Sequence, residues 1–167
     1  MNRVIIIGCP GSGKSTLATK LGSILNLPVH YLDKYYWKEN WTETPMDEFN
    51  QSVGSILKEE KWIIDGNYIR NIEDRVKVAD TVIVFDLPKI VVLWRSLKRY
   101  ILNFNKVRPD MGGNNKDRLE WSHMRFVIRF PRKKMFKKVE EGIEGKELII
   151  LKNQRDVNKL INRLKVN

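Results

Sequence analysis

The chain has 167 residues and a mass of 19.7 kDa, and its 42% hydrophobic and 31% charged content suits one globular domain with a sizeable core. No apolar run reaches the roughly 18–20 residues of a bilayer span, and the single cysteine, Cys9, excludes an internal disulfide and fits a reducing compartment. The reading is a single cytoplasmic domain over residues 1–167 with no membrane partner.

The net charge of +11 is concentrated. Residues 89–138 carry 15 Lys/Arg against 3 Asp/Glu, whereas residues 1–88 carry 10 against 12. Such a block attracts polyanions, whether nucleotide phosphates, nucleic acid or an acidic membrane surface.

In chain order, residues 3–7 form a short β-branched run bounded by glycine, which predicts a buried strand. A helix follows from Gly13 or Lys14 to about Leu25, with Leu17, Ala18, Leu21, Ile24 and Leu25 at helical spacing. Strands are predicted at Val29–Leu32, Trp62–Ile64, Thr81–Phe85 and Glu147–Leu151, and helices at 46–58, 89–105, part of 116–140 and from about Asp156. Strands alternating with helices predict an α/β fold with a parallel sheet covered on both faces. The loop from Asn105 to Lys116 is the expected mobile stretch. Trp62 and Trp94 are expected in the core.

Gly8-Cys9-Pro10-Gly11-Ser12-Gly13-Lys14-Ser15 satisfies G-x-x-x-x-G-K-[ST] between a predicted strand and a predicted helix. Glycines let backbone N–H groups approach phosphate oxygens, and the helix start adds its dipole. Lys14 supplies a mobile charge for the β- and γ-phosphates, the Ser15 hydroxyl can bind Mg²⁺, and Thr16 can donate to the α-phosphate. The pattern points to MgATP, held by Gly8, Pro10, Gly11, Ser12, Gly13, Lys14, Ser15 and Thr16. Cys9 reads as a small filler, though a helix N-terminus would lower its thiol pKa.

Neither Asp65 nor Asp86 begins a D-x-x-G switch, and Asn153-Gln154-Arg155-Asp156 lacks the lysine of a guanine-reading N-K-x-D. What remains is the layout of nucleoside monophosphate kinases and their shikimate- and gluconate-kinase relatives. The phosphate loop with Thr16-Leu17-Ala18, then His30-Tyr31-Leu32-Asp33, Trp37-Lys38, Trp41 and Trp62-Ile63-Ile64-Asp65-Gly66-Asn67-Tyr68, resembles a bacterial group labelled DNA topology modulation protein, related to FlaR. Ala79-Asp80-Thr81-Val82-Ile83, Asp86-Leu87-Pro88, Arg108-Pro109-Asp110 and Phe130-Pro131 extend the likeness over most of the chain.

The resemblance implies an adenylate-kinase-like three-layer fold: a five-stranded parallel sheet in the order 2-3-1-4-5, an acceptor-binding lobe at about residues 31–60 and a basic helical lid at about 100–135. It implies that Asp33 addresses the acceptor hydroxyl, unless it only caps a turn. Asp65 would support Mg²⁺ on Ser15 through water, and Gly66 would let the acceptor approach. Arg95 and Arg99, four apart on one helix face, would clamp nucleotide and transferring phosphoryl group. Arg108 is the first-ranked further lid arginine, ahead of Arg118, Arg125 and Arg129. Arg70 and Arg75 either bind an acceptor phosphate or lie on the surface. Trp37, among Tyr31, Tyr35, Tyr36 and Trp41, either stacks on the acceptor or packs the lobe, and His30 either lines the acceptor site or packs. The leading expectation is a kinase for a nucleoside, nucleotide or other small acceptor. The alternative is an ATP-dependent nucleic-acid-binding protein affecting DNA topology.

Overall fold

The structure is a computed structural model that describes residues 1–103, 106–107, 110–113, 115 and 121–166, with 121–123 described by backbone only. Five strands, β1 (Arg3–Gly8), β2 (Val29–Tyr31), β3 (Trp62–Asp65), β4 (Thr81–Phe85) and β5 (Glu147–Leu151), form one parallel sheet in the order β2-β3-β1-β4-β5. The expected order holds.

Alternation along the central strand creates the layers. Ile5 and Ile7 face one side of the sheet and Val4 and Ile6 the other, all fully buried. On the Ile5 side pack α3 (Met46–Leu57), α4 (Ile72–Val78) and α7 (Arg132–Glu140), through residues such as Phe49, Val76 and Met135. On the Val4 side pack α1 (Lys14–Leu25) and α8 (Gln154–Lys165), through Leu17, Leu21 and Leu160. Each such fully buried aliphatic side chain contributes about 1.5–3 kcal/mol, so two apolar layers flank the strand that carries the phosphate loop.

The remaining helices are α2 (Leu32–Tyr36), α5 (Lys89–Asn103) and α6 (Trp121–Ile128). α1 ends where Asn26 takes a left-handed conformation and returns its N–H to Gly22 O; Pro28 then bars continuation. The Asn153-Gln154-Arg155-Asp156 string is an N-cap. Asn153 Oδ1 accepts the N–H groups of Arg155 (2.8 Å) and Asp156 (3.1 Å) at the start of α8.

Two expectations change. The seven-residue α4 has no counterpart in the sequence reading, because its one buried stripe is too short to show a period. Trp62 is in the core, but Trp94 is 65% exposed on the outer face of α5. At the end of the 105–116 segment, Gly112, Gly113 and Asn115 pack against the backbone around Lys38 and Trp41. Asn115 is buried, accepts Trp41 N–H (2.9 Å) and donates to Lys38 O (2.8 Å). Gly113, at φ +67°, leaves room for the Lys38 backbone that a Cβ would strike.

Candidate active site

β1 delivers the loop from the middle of the sheet. Gly8 closes the strand at φ +143°, and a Cβ there would stand 2.6 Å from Phe85 O on β4. Gly11, at φ +81°, passes so close to Ser96 of α5 that a Cβ would collide with its hydroxyl. Ser12 N–H donates to Cys9 O (3.2 Å), closing the turn, and α1 begins at Lys14 after Gly13 with no side-chain cap. Its first-turn N–H groups are therefore free of side-chain competitors, at the positive end of a twelve-residue helix. Lys14 is largely buried and folds back so that Nζ donates to Cys9 O (3.2 Å).

Parallel pairing brings the carboxylates to this loop. Asp65 is the last residue of β3, in register with Ile6 of β1 and Tyr31 of β2. It is buried, and its Oδ1 has no hydrogen-bond partner. Burial pushes the carboxyl up to about 6; Lys14 and a hydrogen bond from the Ser15 hydroxyl oppose this, and Asp33 and Asp110 add to it. Asp33 lies two residues beyond β2, in the first turn of α2, and its Oδ1 accepts the Tyr68 hydroxyl at 2.7 Å. That hydroxyl is strongly held in its protonated form, by burial first and then by the Asp33 charge.

Asn67, which the sequence left without a role, and Arg75, which it placed at an acceptor phosphate or on the surface, hold the β3 loop in place. Asn67 Oδ1 accepts Gly8 N–H at 2.8 Å, tying the loop after β3 to the start of the phosphate loop. Arg75 is fully buried in α4, and its guanidinium donates to the carbonyls of Gly66 (2.7 Å), Asn67 and Tyr68 (3.1 Å), while Nε donates to Asn71 O (3.3 Å). Arg75 is thus neither on the surface nor open to an acceptor phosphate. Its pKa is lowered to about 10 by burial, so it stays protonated at neutral pH. The sequence signal was available only in hindsight, as an arginine spaced ten residues after Asp65 on the inward side of a helix.

Arg95 reaches the loop from α5, donating from Nη1 to Ser12 O (2.8 Å) and from Nη2 to Gln154 Oε1 (3.0 Å). Arg99 follows one turn along, its carbonyl accepting from Asn103 Nδ2 (3.0 Å). Arg70 is exposed in the 3-10 turn Ile69–Asn71. Trp37 stands edge-on to Tyr36 (5.0 Å between centroids) and to Trp41 (5.6 Å), so the aromatics form one packed cluster with Phe49 and Tyr68. His30 packs, its Nδ1 2.9 Å from the Tyr35 hydroxyl and its Nε2 3.2 Å from Glu59 Oε2. The Cys9 thiol is pushed up to about 11, because burial outweighs the nearby Lys14 and Lys89; the expected activation by the helix start is overridden. Arg108 and Arg118 lie outside the described residues. Arg125 and Arg129 are exposed on α6 and just after it.

No protein-family model and no curated protein matches the chain. Solved structures do match. A shikimate kinase from Acinetobacter baumannii in complex with shikimate superposes with a TM-score of 0.60 at 13% identity, over 98% of this chain and 90% of that one. A shikimate kinase from Bacteroides thetaiotaomicron gives 0.57 at 16% identity, over 99% and 96%. A gluconokinase from Sinorhizobium meliloti 1021 gives 0.56 at 11% identity, over 99% and 90%. With its strand order and its phosphate loop after β1, the chain has the fold shared by these kinases.

Proposed function

We propose that the protein is an ATP-dependent phosphotransferase that moves the γ-phosphoryl group of MgATP to a small acceptor such as a nucleoside, a nucleotide or another hydroxyl compound. One observation carries this reading. The phosphate loop, Asp65 and Asp33 meet at the same ends of three adjacent strands, β1, β3 and β2, where parallel α/β sheets bind ligands. Phosphoryl transfer asks mainly for positioning and charge neutralisation there.

The chain's own groups divide that work. Backbone N–H groups from Gly8 to Ser15 cradle the phosphates, Thr16 donates to the α-phosphate, and Lys14 exchanges its Cys9 carbonyl for phosphate oxygens. An orphaned, buried Asp65 oxygen beside the Ser15 hydroxyl is a donor set suited to a hard cation and its waters. Bound there, Mg²⁺ neutralises phosphate charge. Arg95, already seated on the loop, holds the nucleotide side together with Arg99 and Arg108. Asp33, oriented by Tyr68, receives the acceptor hydroxyl and its proton, with Trp37, Gly66 and Arg70 around the acceptor.

Lys14→Ala tests the reading. It should abolish MgATP-dependent transfer while leaving the melting temperature within a few degrees of wild type; undiminished transfer would end the proposal. The alternative, an ATP-dependent nucleic-acid-binding protein, rests on the basic segment 89–138. It requires DNA affinity that falls steeply with salt.

A further inference from the structure

Helix α5 carries a line of large apolar side chains facing outward. Ile90 is 73% exposed, Trp94 65% and Ile101 65%, with Leu97 between them. Their spacing of four, three and four residues places them on one stripe. The opposite face of the same helix holds buried Val92 and Ser96, so the stripe is the outer side of a properly seated helix. The end of α6 meets the start of α5, where Lys89 Nζ donates to the carbonyl of exposed Ile128 (3.1 Å). Single exposed apolar residues need no explanation, whereas several large ones on a single helix stripe form the kind of contiguous apolar surface that marks an interaction site.

Charge selects the partner. The stripe lies in the segment with 15 basic and 3 acidic residues. Arg132 pairs with Asp86 and Lys138 with Glu73, whereas Lys98, Arg125, Arg129, Lys133 and Lys134 are exposed without an acidic partner among the described residues. A second copy would cover the stripe but set two such basic blocks against each other, within about a Debye length of 8–10 Å. Nucleic acid would satisfy the cations and leave isoleucine and leucine facing phosphate and polar base edges. An anionic bilayer surface offers both at once: lipid phosphates for lysine and arginine, and an acyl boundary beneath them for Trp94 and the aliphatic stripe.

From these features we infer that α5, with the basic residues of α6 and α7, is a docking surface for anionic phospholipid membranes. α5 has fifteen residues, too few to span a bilayer, and no described helix is long and apolar enough to cross one; the helix lies in the interfacial plane. The absence of a spanning helix does not bear on this surface, which matches the acidic membrane surface that the basic segment 89–138 was expected to attract. The inference does not depend on the phosphotransferase reading.

Co-sedimentation of the full chain with vesicles tests it, comparing phosphatidylcholine alone with phosphatidylcholine containing about one third phosphatidylglycerol. The anionic vesicles should retain the chain and the neutral ones should not. Trp94→Glu and Ile101→Glu should each weaken retention about tenfold or more with unchanged melting temperature, since both side chains are exposed. Lys133→Glu with Lys134→Glu, which leaves the stripe untouched, should weaken it by about fivefold per charge. Three results would overturn the inference. One is no retention on anionic vesicles at low salt. Another is equal retention of wild type and both stripe variants, the mark of a purely electrostatic surface such as nucleic acid would use. The third is a wild-type dimer that the stripe substitutions dissociate.

Discussion

Replacing Asp65 by asparagine should stabilise the unliganded protein and remove its response to MgATP. The carboxyl is buried at the end of β3 and pushed up to about 6, from an ordinary 3.8. A folded-state pKa above the unfolded one means that the folded chain holds this proton more tightly. The associated stability is present below about pH 4 and is lost as pH rises through about 6. At pH 7.5 the ionised, buried carboxylate therefore costs about 3 kcal/mol relative to its unfolded state. Asparagine keeps the shape without the charge. Its amide leaves one donor where Oδ1 now has no partner, which returns about 1–2 kcal/mol of that gain. The net stabilisation is about 1–2 kcal/mol, or about 2–8 °C in melting temperature for a domain of this size. Thermal unfolding at pH 4.5, 6 and 7.5, with and without MgATP, is the assay. The gain should be largest at pH 7.5 and shrink towards pH 4.5, and MgATP should raise the melting temperature of wild type only. A variant less stable than wild type at pH 7.5, or a gain that does not change with pH, would refute the reasoning.

Two further predictions concern the β3 loop and Asp33, and a third the docked end of the 105–116 segment. Arg75→Met removes the donor shared by the carbonyls of Gly66, Asn67, Tyr68 and Asn71. It should cost about 3–5 kcal/mol, read as a fall in the denaturation midpoint, because orphaned carbonyls outweigh the relief of burying no charge. Tyr68→Phe keeps the ring packing against Phe49 and loses the hydroxyl on Asp33. Stability should change by about 1 kcal/mol, with the kinetic loss in the acceptor's kcat/KM and little effect on the KM for MgATP. Gly113→Ala places a Cβ against the Lys38 backbone at φ +67°. It should undock the Asn115 contact, which increased amide exchange at Trp41 N–H would report.

The sheet was legible because its signals are local. Strands β1, β4 and β5 are β-branched runs closed by glycine or by turn residues, and the phosphate loop is a contiguous pattern. Roles that depend on distant pairing were not legible. Asn67 reaches Gly8 only because β3 lies beside β1, and Arg75 meets three carbonyls only once α4 folds back under the β3 loop. The same limit misplaced Trp94. Its apolar character fits a core position, but the stripe it shares with Ile90 and Ile101 turns outward, which depends on how α5 seats against the sheet. For Cys9, the expectation weighed the helix start and not the burial beneath Val127, and burial dominates. Asp33, Asp65 and Arg95 were legible only through the likeness to the bacterial group, because their meeting at the phosphate loop depends on strand pairing and on the seating of α5.

The most direct test of phosphotransfer is a coupled ADP-release assay, with MgATP against a panel of nucleosides, nucleotides, sugars and polyols, run beside Lys14→Ala. The account predicts at least one acceptor that raises ADP release well above the acceptor-free rate, with that increment lost in Lys14→Ala. Binding of MgATP with no acceptor-dependent release across the panel, or an increment that survives the substitution, would contradict it.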